Sequence, residues 1–431
     1  MERAAAATSR LACIRCGGRF PIGPLFGCPT CRAEGRWQSL EVDYDLDALR
    51  DRAKQAFQFA PGPGAPALDD PGIWRWRALL PPVGAELTLH EGRTPLLPSR
   101  RAGPTLGLDR LLLKYEGGNP TGSYKDRFQA VSVAAARGLG FSRVFCSSTG
   151  NHGLAAAAYA RVAGLGCLVL LHEEAPAAFD EAIACYGATV GRIPAAERDD
   201  LMRALVEEGW FPATCLAPLP VPNPFGPEGY KTLAFEIKEQ MGPPQAVVLP
   251  VGAGDGLYGV VKGFAELAVL DELGSGDQWP SRREGPQPPR VFGVQPVGAD
   301  PLARAAAIGA DEVAALPAAS PSPALSIREA ATGDHALRAA RELGGGAVAV
   351  EDREILRAAE LLAEDGLLVD VASAASVAGA ARLVADGVLA RDATIVCLIT
   401  ASGARWPRPP GYARAGRVVQ GRTADVRRLI G

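Results

Sequence analysis

The stretch Arg143–Leu154 reads RVFCSSTGNHGL. A short hydrophobic run passes through serine, threonine and glycine straight into the alanine-rich segment LAAAAYARVAG, which is the pattern of a strand, a tight loop and a helix. Working outward, the same theme recurs with LLLKYEG from Leu111, CLVLL from Cys167, AVVLPVGAG from Ala246, RVFGVQP from Arg290 and ATIVCLIT from Ala393. Most of these runs are followed by a small-residue loop and a segment of helical length. Strands that read as continuous apolar runs, separated by helices, belong to parallel sheets covered on both faces. The sequence therefore predicts an α/β protein with doubly wound parallel sheets.

Bulk properties narrow the function. A chain of 431 residues is long enough for two or three domains. Hydrophobic residues make up 48% and charged residues 22%, the profile of a globular enzyme. No run of eighteen apolar residues is present, and the opening MERAAAATSRLACIRC lacks an apolar core of signal-peptide length, so a cytoplasmic location is expected with no membrane partner. A net charge of −3 with mixed signs argues against nucleic acid and favours small-molecule chemistry. Only six lysines occur among the 45 basic residues, so an essential amine has few candidates.

Four of the nine cysteines form Cys13-x-x-Cys16 and Cys28-x-x-Cys31. Two such knuckles have the spacing of a tetrahedral four-cysteine zinc site, and a small module without its own core needs that staple; the other reading is a ribbon that has lost its metal. Cys146, Cys167, Cys185, Cys215 and Cys397 are scattered singly and read as buried small hydrophobes. EVDYDLDAL (41–49) reads as turn-like, and APGPGAPALDDPG from Ala60 as a linker, so that the main body begins near Gly72. The Pro-rich PSRREGPQPPR from Pro280 and ALPAASPSPA from Ala315 read as surface excursions, and the tail from Pro407 as an arm.

Four loops carry the chemistry, each at the C-terminal end of an expected strand, where open α/β sheets bind ligands. In KYEGGNPTGSYKDR (114–127), Asn119-Pro120-Thr121-Gly122 makes a tight turn that presents Lys125 at a helix start. There the positive helix dipole and partial desolvation should lower the amine pKa and raise its nucleophilicity toward an aldehyde. In CSSTGNHGL (146–154), Ser148, Thr149, Asn151 and backbone amides form a carboxylate or phosphate cradle, or simply a helix cap. In VGAGDGLYGVVKGF (251–264), the backbone from Gly252 through Ala253, Gly254 and Asp255 to Gly256 can approach an anion closely. It lacks the G-x-x-x-x-G-K-[ST] spacing of an NTP loop and suits a single phosphate. In TASGARWP (400–407), the Thr400 hydroxyl ends a buried strand and can bond a heterocycle nitrogen or a backbone group.

These loops in this order resemble the threonine synthase family and its fold type II relatives, the serine and threonine dehydratases. LACIRCG, GIWRWRALLP, EGRTPLL, NPTGSYKDR, STGNHG, NPFGPEGYKTLAFEI, GVQPVGADPLARA and VDVASAAS all carry the likeness, across nearly the whole chain. The resemblance implies a fold type II, tryptophan synthase β-like architecture: a zinc-ribbon-like module over 1–45, a large cofactor domain over 46–129 and 226–431, and a small substrate domain over 130–225. It implies pyridoxal 5'-phosphate (PLP) held by Lys125 as a Schiff base, its 3-hydroxyl bonded by Asn151 and its phosphate held by the backbone of Gly252–Gly256 with Ala253, Gly254 and Asp255 between them. Thr400 would face the pyridine nitrogen, and Ser148, Thr149 and His152 would bind the substrate. A hydroxyl partner makes the ring a weaker electron sink than a carboxylate would, which favours elimination and replacement at the β or γ carbon over transamination.

The implied protein is a homodimeric lyase acting on an amino acid, with O-phosphohomoserine plus water giving threonine and phosphate as the leading reaction. Serine or threonine dehydration, a diaminopropionate ammonia-lyase-like reaction and β-replacement stay open, as does a catalytically silent relative. The chain departs from the family pattern at His152, Val221, Ala253, Gly226 and Gly256. The first stands where threonine synthases commonly have a small hydroxyl residue, and the other four where they place polar groups for the substrate phosphate. Arg93, Arg192 and Lys231 are the cations left to form a different clamp.

Overall fold

The computed structural model describes residues 8–36, 38–58, 70–215, 222–270, 287–314, 316, 321–327 and 333–407. Val221, most of the Ala60 linker, most of the Pro280 break, half of the Ala315 break and the tail beyond Pro407 lie outside them.

The N-terminal module is a three-stranded antiparallel sheet, β1 (Ser9–Cys13), β2 (Arg19–Phe20) and β3 (Leu40–Tyr44), ordered β2-β1-β3. The acidic run expected to be a turn is thus β3 followed by a helix over Leu46–Gln58. Leu40, Val42 and Tyr44 are buried in alternation with the half-buried Glu41 and Asp43, the period of a half-buried strand.

Two further sheets form the body. A six-stranded sheet takes β4 (Leu96–Pro98), β5 (Arg110–Tyr115) and later strands. A four-stranded parallel sheet, ordered β8-β7-β6-β9, is built from β6 (Arg143–Ser148), β7 (Gly166–Leu171), β8 (Thr189–Arg192) and β9 (Phe211–Pro212). The chain then returns to the larger sheet with β10 (Ala246–Pro250), β11 (Arg290–Pro296), β12 (Gly346–Val350) and β13 (Thr394–Ile399). Its order is β12-β11-β10-β13-β5-β4, parallel throughout except for the short edge strand β4. Every residue of β10 and β13 is buried, which explains their unbroken apolar sequences.

Five helices position the site: α1 (Lys125–Gly138), α2 (Asn151–Ala163), α3 (Gly226–Met241), α4 (Asp255–Val269) and α5 (Val371–Ala385). Helices α3 and α4 touch backbone to backbone: a Cβ at Gly259 would come 2.7 Å from Pro227 O, and one at Gly263 2.5 Å from Lys231 O. Among the described residues no helix is long and apolar enough to cross a membrane.

Candidate active site

The lysine loop and the Thr400 loop, 275 positions apart in sequence, are strapped together by two backbone hydrogen bonds and one arginine side chain. Tyr124 N–H donates to Thr400 O at 2.9 Å, Ser402 N–H to Gly122 O at 2.9 Å, and Arg405 Nη1 to Thr121 O at 2.8 Å. Gly122 turns the chain at φ +83°, a region only glycine enters freely. Lys125 is the first residue of α1 and is half-buried. Its Nζ lies 4.8 Å from the Tyr124 ring centroid and 5.5 Å from that of Tyr230, and the two rings stack 4.6 Å apart.

The other loops converge on this point. A Cβ at Gly256 would lie 3.0 Å from Tyr124, so the glycine loop, which leads directly into α4, abuts the lysine loop. Helix α2 begins at Asn151 and packs on α1, with the His152 ring edge-on to Phe128 at 4.6 Å. Ser148 Oγ accepts from the N–H groups of Gly150 and Gly153, both at 2.9 Å, so it caps α2 and keeps its own proton to donate. Thr400 is buried and shares a 3.0 Å hydrogen bond with Ser373 on α5. Ser373 also accepts from Ala401 N–H at 3.0 Å. The small-residue run VDVASAAS carried this partner without any feature that would single it out.

Electrostatics differ from expectation at Lys125. Burial acts to lower its amine, but Tyr124, Cys215 and Asp255 outweigh it and hold the ammonium above its ordinary value. Cys215, one of the cysteines read as inert core, is half-buried beside this group, its thiol pushed up to about 12 by burial and then by Asp255. Cys185 is exposed and Cys167 half-buried; only Cys146 and Cys397 are buried as expected. His152 is held neutral by burial and by the Lys125 charge, and its Nε2 has no hydrogen-bond partner among the described residues.

Behind the loop lies a charge network that the motif conceals. Arg127 Nε and Nη2 donate to Glu116 at 2.8 and 2.9 Å, and Nη2 reaches Glu236 at 3.0 Å. Lys114 Nζ bonds Glu236 and the Thr94 carbonyl, each at 2.7 Å. Asp126 accepts from Thr121 N–H and hydroxyl at 2.8 and 2.7 Å, and burial raises its carboxyl to about 7. Of the cations left for a substrate clamp, Lys231 is buried against Glu228 and Glu266, Arg192 is tied to Asp180, and Arg93 to Asp70. A Cβ at Gly226 would strike the Phe128 ring at 2.0 Å, so no larger residue fits there as α1 now packs.

His335 stands beside the glycine loop, 3.5 Å from where a Gly254 Cβ would be, and is buried with Nε2 lacking a partner among the described residues. Burial lowers its pKa to about 4. A depressed histidine favours folding only while neutral, so this contribution is present above the unfolded pKa of ~6.5 and is lost as pH falls toward about 4. Between pH 7.5 and 5 the loss is about 2 kcal/mol. Urea unfolding of wild type and His335→Gln at both pH values should show this pH-dependent difference; parallel pH profiles would exclude the assignment.

An amine at a helix start, a glycine cradle before a second helix and a buried hydroxyl at a strand end define a cofactor-dependent α/β enzyme. Comparison with known proteins makes this specific. The family described as pyridoxal-phosphate dependent enzyme matches residues 87–401. Threonine synthase from Methanocaldococcus jannaschii is 34% identical over 409 residues, covering 92% of each chain. That from Methanosarcina acetivorans is 34% identical over 404 residues, covering 90% of each. Among solved structures, a bacterial threonine deaminase is 27% identical with a TM-score of 0.58 over 74% of this chain and 94% of that one. Maize serine racemase, 22% identical at a TM-score of 0.59, covers 73% of this chain and 89% of its own and shares the fold.

The chain belongs to the threonine synthase-like family of fold type II PLP-dependent enzymes and is a lyase. Its residues fit that cofactor. The glycine cradle would be filled by a side chain, since a Cβ at Gly252 would lie 3.2 Å from Ser326 O and one at Gly254 3.0 Å from Ala336 Cβ. Helix α4 starts at Asp255, directly after Gly254 at φ +102°, and a helix start of this kind favours a phosphate.

Proposed function

We propose that the enzyme eliminates or replaces a group at the β or γ carbon of an amino acid, with O-phosphohomoserine and water giving threonine and phosphate as the leading reaction. The observation that supports this most is the strap joining the two loops, in which the backbone of Tyr124, next to Lys125, bonds that of Thr400, whose hydroxyl pairs with Ser373. When bound, PLP supplies an electron sink for charge developing at the substrate α carbon. Lys125 would hold it and then act as the base at the α carbon and a later proton donor. Asn151 would bond its ring hydroxyl, Thr400 its ring nitrogen, and Gly252, Ala253, Gly254, Asp255 and Gly256 its phosphate. Ser148, Thr149 and Asn151 would fix the substrate carboxylate and hence the bond to be broken, with His152 a further substrate-binding residue.

The division into 1–45, 46–129 with 226–431, and 130–225 accords with a sheet of its own for β6–β9. A homodimer, on family likeness alone, and a cytoplasmic location complete the proposal. A second reading, deamination of serine, threonine or a diaminopropionate-like substrate, is favoured by the Phe128 ring against Gly226 and by the commitment of the nearby cations to other partners. Phosphate with threonine, released only from O-phosphohomoserine, would decide for the first; ammonia from the other substrates would decide for the second. Thr400→Val should raise the PLP dissociation constant about tenfold, the effect of one lost hydrogen bond of ~1.4 kcal/mol. Unchanged binding in a fluorescence titration would remove Thr400 from the cofactor contacts.

Cys13, Cys16, Cys28 and Cys31 would hold a structural zinc ion. Their sulfurs all lie within 4.8 Å of one another, with Cys13–Cys31 at 3.8 Å and Cys16–Cys28 at 3.7 Å. Tetrahedral Zn–S bonds of about 2.3 Å require sulfur separations of about 3.8 Å. Backbone N–H groups already point at the sulfurs, as from Gly18 to Cys16 at 3.4 Å. Metal analysis of the purified protein should find one zinc per chain.

A further inference from the structure

Between the four-cysteine module and the glycine loop lies a buried set of charges that the chemistry at Lys125 does not use. Glu41 and Tyr44 project from β3, whose register sets Leu40 opposite Cys13 and Glu41 opposite Ala12. The Tyr44 hydroxyl donates to Glu228 at 2.9 Å, and its ring carries Lys231 Nζ at 3.9 Å. Lys231 pairs with Glu228 at 2.6 Å and Glu266 at 3.0 Å. Lys262 on α4 pairs with Glu228 at 2.8 Å and Glu41 at 3.4 Å, and donates to the Val42 carbonyl. The Tyr258 hydroxyl, also on α4, donates to Glu41.

From Tyr258 the path continues. Its ring stands edge-on to His335 at 5.2 Å, and His335 lies against Gly254. The module also grips the smaller sheet, where Phe26 packs on Phe211 at 5.3 Å. Glu228, Lys231 and Glu266 are buried and Glu41 is 29% exposed, and the buried members lose much when a partner moves, because desolvated charges and hydrogen-bonding atoms are then left unmatched.

We infer that the four-cysteine module positions the cofactor-phosphate loop, with Glu41 and Tyr44 as positioning residues acting through Tyr258 and Lys262. Loss of metal frees the strand β1 that holds β3 in register, and the glycine loop loosens with it. This rests on the assignment of that loop to the PLP phosphate and of the cysteines to zinc.

The test uses the full chain free of cofactor, with zinc or with a chelator. Hydrogen exchange at the Gly252–Leu257 amides should quicken about tenfold on chelation, and PLP titrated as the probe should bind about tenfold more weakly. Tyr258→Phe keeps the ring on His335 and removes only the hydroxyl. It should give faster loop exchange with zinc present and abolish most of the response to chelation, since coupled changes do not add. Arg10→Ala, which breaks an exposed ion pair on the same module, should change neither readout. Unchanged loop exchange while β1 and β3 lose protection would overturn the inference, as would an equal response to chelation in wild type and Tyr258→Phe. Exchange is read without cofactor, so a failure of the PLP assignment would appear in the binding arm alone.

Discussion

Replacing Lys125 by alanine should abolish the visible absorption band of the protein loaded with PLP and cut turnover at least about a thousandfold, within the range expected for removing a positioned base. Folding should survive. Lys125 is half-buried and lies over the Tyr124 and Tyr230 rings, and the ion pairs behind its loop are made by its neighbours Arg127 and Lys114. The urea midpoint should therefore shift by no more than the equivalent of about 1 kcal/mol. A retained band with a tenth or more of wild-type turnover would mean that another amine carries the cofactor.

Two residues along, the expected effect is on stability. Arg127→Met removes the partner of Glu116 and Glu236, whose side chains are 0% and 2% exposed. Stranding buried carboxylates typically costs about 3–5 kcal/mol, against a total of about 5–15 kcal/mol for an ordinary domain. The exposed pair Arg391–Asp109, at 67% and 47% exposure, provides the contrast: its removal should cost less than about 1 kcal/mol. Equilibrium unfolding of the two variants side by side separates these values. A loss below about 1 kcal/mol for Arg127→Met would show that Lys114 and Arg75 neutralise the acids without it.

The contrast between Lys125 and Arg127 also shows what a sequence can disclose. Strands β5, β6, β10, β11 and β13 were legible because burial on both faces leaves no polar alternation, and the start of α1 followed from the turn at Asn119–Gly122. Strand β3 was not, because Glu41, Asp43 and Asp45 have the composition of a turn while Val42 and Tyr44 carry the inward alternation. Arg127 sits inside a motif that could be read, yet its partner Glu236 is 109 residues away and no local pattern points to it. The cysteine knuckles sat at the right spacing for their sulfurs to meet. Cys215 beside Lys125 and His335 beside Gly254 gave no signal, since each is a single residue whose meaning comes from elements that meet only in three dimensions.

The contact of α3 with α4 at Gly259 and Gly263 bears on how this enzyme can be redesigned. With no room for even a methyl group at either crossing point, the separation of the two helices is fixed by backbone contact, and the glycine loop leads directly into this pair at the head of α4. A directed-evolution campaign aimed at a new leaving group will find little useful variation along these helices. Gains should concentrate instead in the loop residues that open on the lysine, where a changed side chain alters the pocket without unseating its frame.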